Sequence, residues 1–289
     1  MIPAAFEYHA PTTLRQALAI LRRYPGEAKV LAGGHSLLPV MKLRLSQPSH
    51  VVDLAGIEGL SYIREQNGGL AIGPMTTYYT LESSPVVRQR APMLAEPAAQ
   101  VADLQVRNKG TIGGSLAHAD PAGDFSAVAL ALEARIRTSG AGRARRVPAD
   151  RFFVDIFTTT LGESELITEV VIPDSPPRTG SSYQKFANKA SHFAIVGVAA
   201  VVTLDTQGRC QRVRIGVTGA GPKPVRARAS ERYLTGREPS EQNLAGAAQR
   251  ASAGIECLED LHGSAEYREH LIGVMAGRAL QQAVSRVQD

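Results

Sequence analysis

Leu31-Ala32-Gly33-Gly34-His35-Ser36-Leu37-Leu38-Pro39 begins within the short apolar run at 29–32 and leads into the apolar, basic stretch Met41-Lys42-Leu43-Arg44. An apolar run closed by two glycines predicts a buried strand passing into a tight loop. Without Cβ atoms at Gly33 and Gly34, backbone N–H groups can approach an anion closely, and Ser36 adds a hydroxyl donor. A phosphate cradle and an ordinary tight turn both satisfy this segment. No Gly-Lys-Ser/Thr follows and the pattern is not GxGxxG, so ATPase and nicotinamide-binding readings lose their main support.

A second segment repeats the chemistry: Arg107-Asn108-Lys109-Gly110-Thr111-Ile112-Gly113-Gly114-Ser115-Leu116-Ala117-His118-Ala119-Asp120-Pro121-Ala122-Gly123-Asp124. Adjacent glycines carry a hydroxyl on either side, Thr111 and Ser115, and two such loops suit a diphosphate. Asp124 has two readings, a helix cap or an acceptor for sugar or ribityl hydroxyls. His35, His118 and His192 are too scattered for their spacing to argue for a metal site, and no metal is expected. Ser36 and Ser115 lack the context of a nucleophile elbow, which argues against hydrolase chemistry.

Around these segments the pattern is α+β. Leu14, Ala17, Leu18 and Leu21 fall on one helical face that Pro25-Gly26 ends. Strands are expected at 51–54, 60–63 and 70–72, and helices near 79–82, 93–101 and 124–132. The β-branched run 166–172 is followed by Pro173-Asp174-Ser175-Pro176-Pro177, which cannot continue a sheet and marks a joint. The expected domains are therefore 1–176 and 177–289. In the second, strands at 182–186, 193–204 and 212–219 precede helices at 227–234, 241–253 and 265–287, a sheet with helices on one face.

Composition narrows the function. With 289 residues, 44% hydrophobic and 20% charged, the chain is an ordinary folded, water-soluble protein of one or two domains. Its longest uncharged apolar stretch, 193–204, is too short to span a bilayer. The N-terminus lacks a basic segment followed by an apolar core, so a cytoplasmic location is expected. Two cysteines, Cys210 and Cys257, cannot build an iron–sulfur cluster, which needs about four thiolates. The net charge of +5 arises after Pro176, and between Arg209 and Arg232 seven basic residues meet one acid. That stretch has no Phe or Trp for base stacking, so a solvated or partner-docking surface is expected there, not a nucleic-acid site.

Taken together, these segments resemble the FAD-binding, or medium, subunit of the molybdenum hydroxylases, the group that includes aerobic carbon monoxide dehydrogenase and xanthine dehydrogenase. The likeness rests on Phe6-Glu7-Tyr8, AGGHSLLPVMKLRL from Ala32, RNKGTIGG from Arg107 and HADPAGD ending at Asp124. It extends to residues 165–173, KFANKASHFAIVGVA from Lys185, and Gly263-Ser264-Ala265-Glu266-Tyr267-Arg268. It implies a vanillyl-alcohol-oxidase-type (PCMH-type) FAD-binding domain of two α+β subdomains, followed by a smaller sheet-plus-helices domain of the CO dehydrogenase flavoprotein type. By the resemblance, Ala32, Gly33, Gly34, His35, Ser36 and Leu37, with Thr111, Ile112, Gly113, Gly114 and Ser115, would hold the FAD pyrophosphate. Asp124 would lie near the ribityl chain, Ile167 against the cofactor, and Lys185 near the flavin ring. There its cation would favour the anionic reduced flavin, so Lys185→Met is expected to keep the fold and lower the reduction potential. Ser115 stands where similar proteins commonly have asparagine.

The resemblance also implies an oxidoreductase subunit that carries FAD and no catalytic residue of its own for the substrate. Molybdenum cofactor and 2Fe-2S clusters would sit in a large and a small partner subunit, two copies of each. Electrons would pass through the clusters to FAD and on to an acceptor such as a quinone, oxygen or NAD. The substrate, carbon monoxide or another small molecule such as an aldehyde, a purine or an N-heterocycle, would be chosen in the large subunit. A self-sufficient FAD oxidoreductase and a non-enzymatic nucleotide-binding scaffold are the alternatives. The first would need a substrate base that the sequence does not identify.

Overall fold

In the computed structural model, which describes residues 1–66, 68–140, 142 and 144–287, the apolar spacing at Leu14, Ala17, Leu18 and Leu21 forms the helix Leu14–Arg23. Thr13 and Gln16 close a capping box at its start. Its buried face packs Ala17, Leu18 and Leu21 into a core with Val52, Leu54 and Ile57. Beside it lies a three-stranded parallel sheet in which His50–Asp53 is central, flanked by Glu7–His9 and Ala28–Leu31. This is the first α+β subdomain.

The second subdomain is built on a five-stranded antiparallel sheet. Its order is Ile63–Gln66, Gly69–Ile72, Leu166–Pro173, Arg135–Ser139 and Ala144–Pro148. The strand expected at 60–63 begins only at Ile63, because the Leu60 and Tyr62 carbonyls instead accept from Met75 and Gly73 N–H at 2.8 and 2.9 Å and close a loop. Helix Ile112–His118 packs on the strand Leu166–Pro173, helices Tyr78–Ser83 and Pro92–Gln100 join the same core, and the helix Asp124–Ala131 has all eight residues buried. That last sequence, DFSAVALA, is apolar almost all round, as a helix enclosed on every side must be.

Residues beyond the proline cluster form a four-stranded antiparallel sheet ordered Thr179–Ala187, Ala194–Leu204, Cys210–Thr218 and Val225–Arg226. Side chains alternate across a strand. On Ala194–Leu204 the residues Val196, Val198, Ala200 and Val202 join Ile272, Met275, Ala276 and Leu280 of the long helix Ala265–Ser285. Ala199 and Val201 share the opposite core with Phe125, Ala127 and Val128. Helix Asp124–Ala131 is thus held between the second and third sheets and locks the two parts of the chain together. Among the described residues no helix is long and apolar enough to cross a membrane.

The basic segment takes part in that joint. Arg212 and Arg214 both pair with Glu133, and Arg226 lies 3.5 Å from Glu133 and 2.5 Å from Glu231. Arg228 reaches Asp150 at 3.5 Å, and Lys223 donates to the Val154 carbonyl at 2.8 Å. Five of the seven basic residues are therefore engaged within the chain. Much of the surface expected to dock a partner instead holds the domains to each other.

At the far edge of the five-stranded sheet, Glu165 accepts from the Arg145 guanidinium, the Gly162 N–H at 3.0 Å and the Thr138 hydroxyl. Burial alone would raise its pKa, but these donors prevail and hold it down to about 2 from an ordinary 4.5. A depressed carboxylate contributes stability that is present above the unfolded pKa and lost as pH falls through the folded one. Glu165→Gln should therefore flatten the stability profile between about pH 4.5 and about pH 2 relative to wild type. Urea midpoints taken across that range will show it, and parallel profiles would refute it.

Candidate functional site

Strand Ala28–Leu31 ends opposite Asp53, and the chain turns through Gly33 and Gly34 before the short helix Leu37–Lys42. Gly34 has φ of +79°, a left-handed conformation that favours glycine. Gly33 is required for a different reason, close approach. A Cβ there would lie 2.1 Å from the Lys109 carbonyl oxygen and 2.8 Å from the Gly110 Cα. The two glycine-rich segments, 76 positions apart in sequence, are thus in backbone contact.

The backbone N–H groups of Gly33, Gly34, His35, Ser36 and Leu37 form no hydrogen bond to any described residue, while the next, Leu38, donates to the Gly34 carbonyl at 3.0 Å. Backbone donors in folded proteins are nearly always matched, by chain, water or ligand. Five successive open donors with His35 and Ser36 exposed make a bank suited to an anion.

The second segment is built differently. It is not a loop but the helix Ile112–His118, capped by Thr111, whose hydroxyl oxygen accepts from Gly114 N–H at 3.1 Å. Ile112 and Gly113 N–H donate to the Thr76 and Pro74 carbonyls, and Ser115 N–H to Thr111. All four N–H groups are spent inside the chain. What the segment offers is a wall: a Cβ at Gly114 would meet Ala32 Cβ at 3.4 Å and Thr111 Oγ1 at 2.8 Å. Ser115, half-buried, adds a hydroxyl beside the buried Tyr78 phenol, whose pKa burial raises to about 12 while Ser115 pulls it down.

Asp124 is not the helix cap, a place taken by Gly123, but the first residue of the helix Asp124–Ala131. Its carboxylate is buried, accepting from the Tyr183 hydroxyl through Oδ1 and from Lys185 Nζ at 3.0 Å through Oδ2. Burial lifts its pKa above the ordinary carboxylate value, against the opposing pull of Lys185 and Tyr183. Lys185, with a side chain 2% exposed, also donates to the Gln100 carbonyl at 3.1 Å and the His192 carbonyl at 2.9 Å. Its three protons are matched, so it ties two helices to the third sheet and is no solvated strand lysine. Ile167 is buried in the second subdomain's core, at a β-bulge. His118 packs against Phe157 with ring centroids 5.0 Å apart, and burial lowers its pKa.

Tyr183 belongs to this cluster although the motifs do not single it out. The usable signal is its spacing: two residues before Lys185 on one strand places both side chains on the same face. The Pro74 and Thr76 carbonyls, which consume the second segment's donors, carry no sequence signal.

Comparison with known proteins gives a consistent result. The family described as FAD binding domain in molybdopterin dehydrogenase matches residues 4–175, and that described as CO dehydrogenase flavoprotein C-terminal domain matches residues 181–283. The carbon monoxide dehydrogenase medium chain of Hydrogenophaga pseudoflava is 42% identical over 286 residues, 99% of both chains. The nicotine 6-hydroxylase medium subunit of Paenarthrobacter nicotinovorans is 37% identical over 98% of both. Among solved structures, carbon monoxide dehydrogenase from Hydrogenophaga pseudoflava matches with a TM-score of 0.96 at 43% identity over the whole of both chains. Quinoline 2-oxidoreductase from Pseudomonas putida 86 matches at 0.92 and 32% identity over 99% of both.

Proposed function

Because this chain belongs to the FAD-binding family of the molybdopterin dehydrogenases, we propose that it is the subunit through which a cytoplasmic molybdenum hydroxylase passes electrons to an external acceptor. The observation that carries this reading is the open bank of N–H groups at residues 33–37, in a chain that matches a carbon monoxide dehydrogenase medium chain from end to end. FAD supplies a ring able to exchange electrons singly or in pairs.

The chain's own residues bind and orient. Gly33, Gly34, His35, Ser36 and Leu37 offer their N–H groups to the diphosphate, whose charge suits unpaired donors better than water does. Ala32, Ile112, Gly113 and Gly114 shape the wall, with Thr111 and Ser115 hydroxyls beside it. Asp124 and Lys185 act as a buried polar strut that holds the third sheet against the helices of the second subdomain, and Ile167 lies in the same core. This makes Asp124 and Lys185 positioning residues.

Substrate oxidation belongs, in this reading, to a large molybdenum-cofactor subunit, with iron–sulfur clusters in a small subunit and two copies of each subunit in the complex. Cys210 fits that division: it lies in the third sheet's core, where burial raises its thiol pKa to about 11, the opposite of what a metal-ligating thiolate needs. Co-expression with the neighbouring large and small subunit genes should yield a complex that reduces an acceptor when substrate is added. The isolated chain should bind FAD and leave carbon monoxide, aldehydes and N-heterocycles unchanged. Turnover of any of them by the purified chain, free of iron and molybdenum, would replace this reading with a self-sufficient FAD oxidoreductase.

A further inference from the structure

At the end of the parallel sheet away from the glycine loop, three side chains converge that the FAD site does not use. Glu7 and His9 stand two apart on one edge strand, hence on one face. His50, on the central strand, is the register partner of Glu7. The atoms they present to one another are mutually close. His9 Nε2 lies 3.0 Å from His50 Nδ1, His50 Nδ1 3.2 Å from Glu7 Oε2, and His9 Nε2 3.6 Å from Glu7 Oε2.

A hydrogen-bonded chain needs only two short separations among three atoms. Here all three are short, which is the arrangement of donors around one point. Zinc bonds of about 2.0–2.2 Å at tetrahedral angles separate neighbouring donors by roughly 3.3–3.6 Å, close to the observed set. The surroundings suit an ion as well. The His50 ring is fixed by stacking on Tyr24, with centroids 3.6 Å apart and planes 18° from parallel. His50 is buried and Glu7 exposed, with side-chain exposures of 11% and 67%, so the cluster has a rigid floor and an open mouth.

We propose that Glu7, His9 and His50 form a site for a zinc-type divalent ion, with water in the fourth position. Two imidazoles and one carboxylate are a donor set that zinc and its neighbours in the first transition row accept. The ion would cross-link the N-terminal strand to the strand at the centre of the sheet, at its end opposite the loop that presents the N–H bank. It would act as a clamp on the subdomain, apart from FAD.

The test uses the full-length, untagged chain, stripped with a chelator and titrated with Zn2+ by calorimetry, with thermal unfolding in parallel. One ion per chain and a raised Tm are expected. Glu7→Gln, at an exposed position, and His9→Gln, whose ring also packs against Tyr24, should each weaken binding about tenfold or more and reduce the Tm rise, with FAD content unchanged. Co2+ in place of zinc should give the strong visible bands of a tetrahedral site, absent in the double variant. Failure of the wild-type chain to bind Zn2+, or equal binding by the Glu7→Gln/His9→Gln double variant, would overturn the proposal.

Discussion

Gly33→Val is expected to leave the purified chain without flavin. Valine's Cβ would be forced to within 2.1 Å of the Lys109 carbonyl oxygen and 2.7 Å of its carbon. Those are backbone atoms, so no rotamer change relieves the overlap, and the two glycine segments must part. The N–H bank at residues 33–37 then loses the wall that faces it. The damage begins at Cβ, so Gly33→Ala should be nearly as severe. Gly114→Ala should be milder, because its added carbon meets side-chain atoms, Ala32 Cβ at 3.4 Å and the Thr111 hydroxyl at 2.8 Å, which can turn away at the cost of its cap to the Gly114 N–H. Flavin per chain, read from the visible spectrum of each purified variant, ranks the three. Near-stoichiometric FAD in Gly33→Val would show that the contact between the segments is dispensable and would remove the cradle assignment.

The reason for this loss is only partly visible in the sequence. Two adjacent glycines predict room for an approaching anion, and Gly34 does adopt the positive φ such a turn uses. Gly33 instead makes room for Lys109, a residue that nothing local connects with it. The same limit applies to the second segment, where a pair of glycines reads as a loop because each costs a helix about 1 kcal/mol relative to alanine. Thr111 at the cap and the carbonyls of Pro74 and Thr76 outweigh that cost. By contrast, the helix Leu14–Arg23 is legible because its apolar period is local and regular, and the strand Ala194–Leu204 because its apolar run is continuous. Arginines misled for the opposite reason. A basic run reads as surface, yet Glu133, about 80 positions away, takes Arg212 and Arg214 into the joint between domains.

Lys185→Met should destabilise the chain strongly, contrary to the expectation that the fold survives and only the flavin's potential changes. The substitution removes the ammonium from a pair in which both side chains are at most 6% exposed, and leaves the Asp124 carboxylate with Tyr183 as its remaining side-chain donor. Stranding one member of a buried ion pair typically costs about 3–5 kcal/mol. Replacing both partners should cost less than the sum, so Lys185→Met/Asp124→Asn is expected to recover part of the loss, with a coupling of roughly 0.5–3 kcal/mol. The pH dependence gives a second check. Burial already lifts the Asp124 pKa, and without Lys185 it rises further. The folded variant then holds a proton that the unfolded chain has released, and stability of this kind is complete below the unfolded pKa and lost as pH rises through the folded one. The deficit of Lys185→Met relative to wild type should therefore shrink as pH is lowered from about 8 to about 5, while that of the double variant, which lacks the carboxylate, should not shrink. Urea midpoints for the three proteins at both pH values decide the matter: a wild-type midpoint in Lys185→Met, or a deficit that ignores pH, would mean that the pair does not hold the third sheet to the rest of the chain.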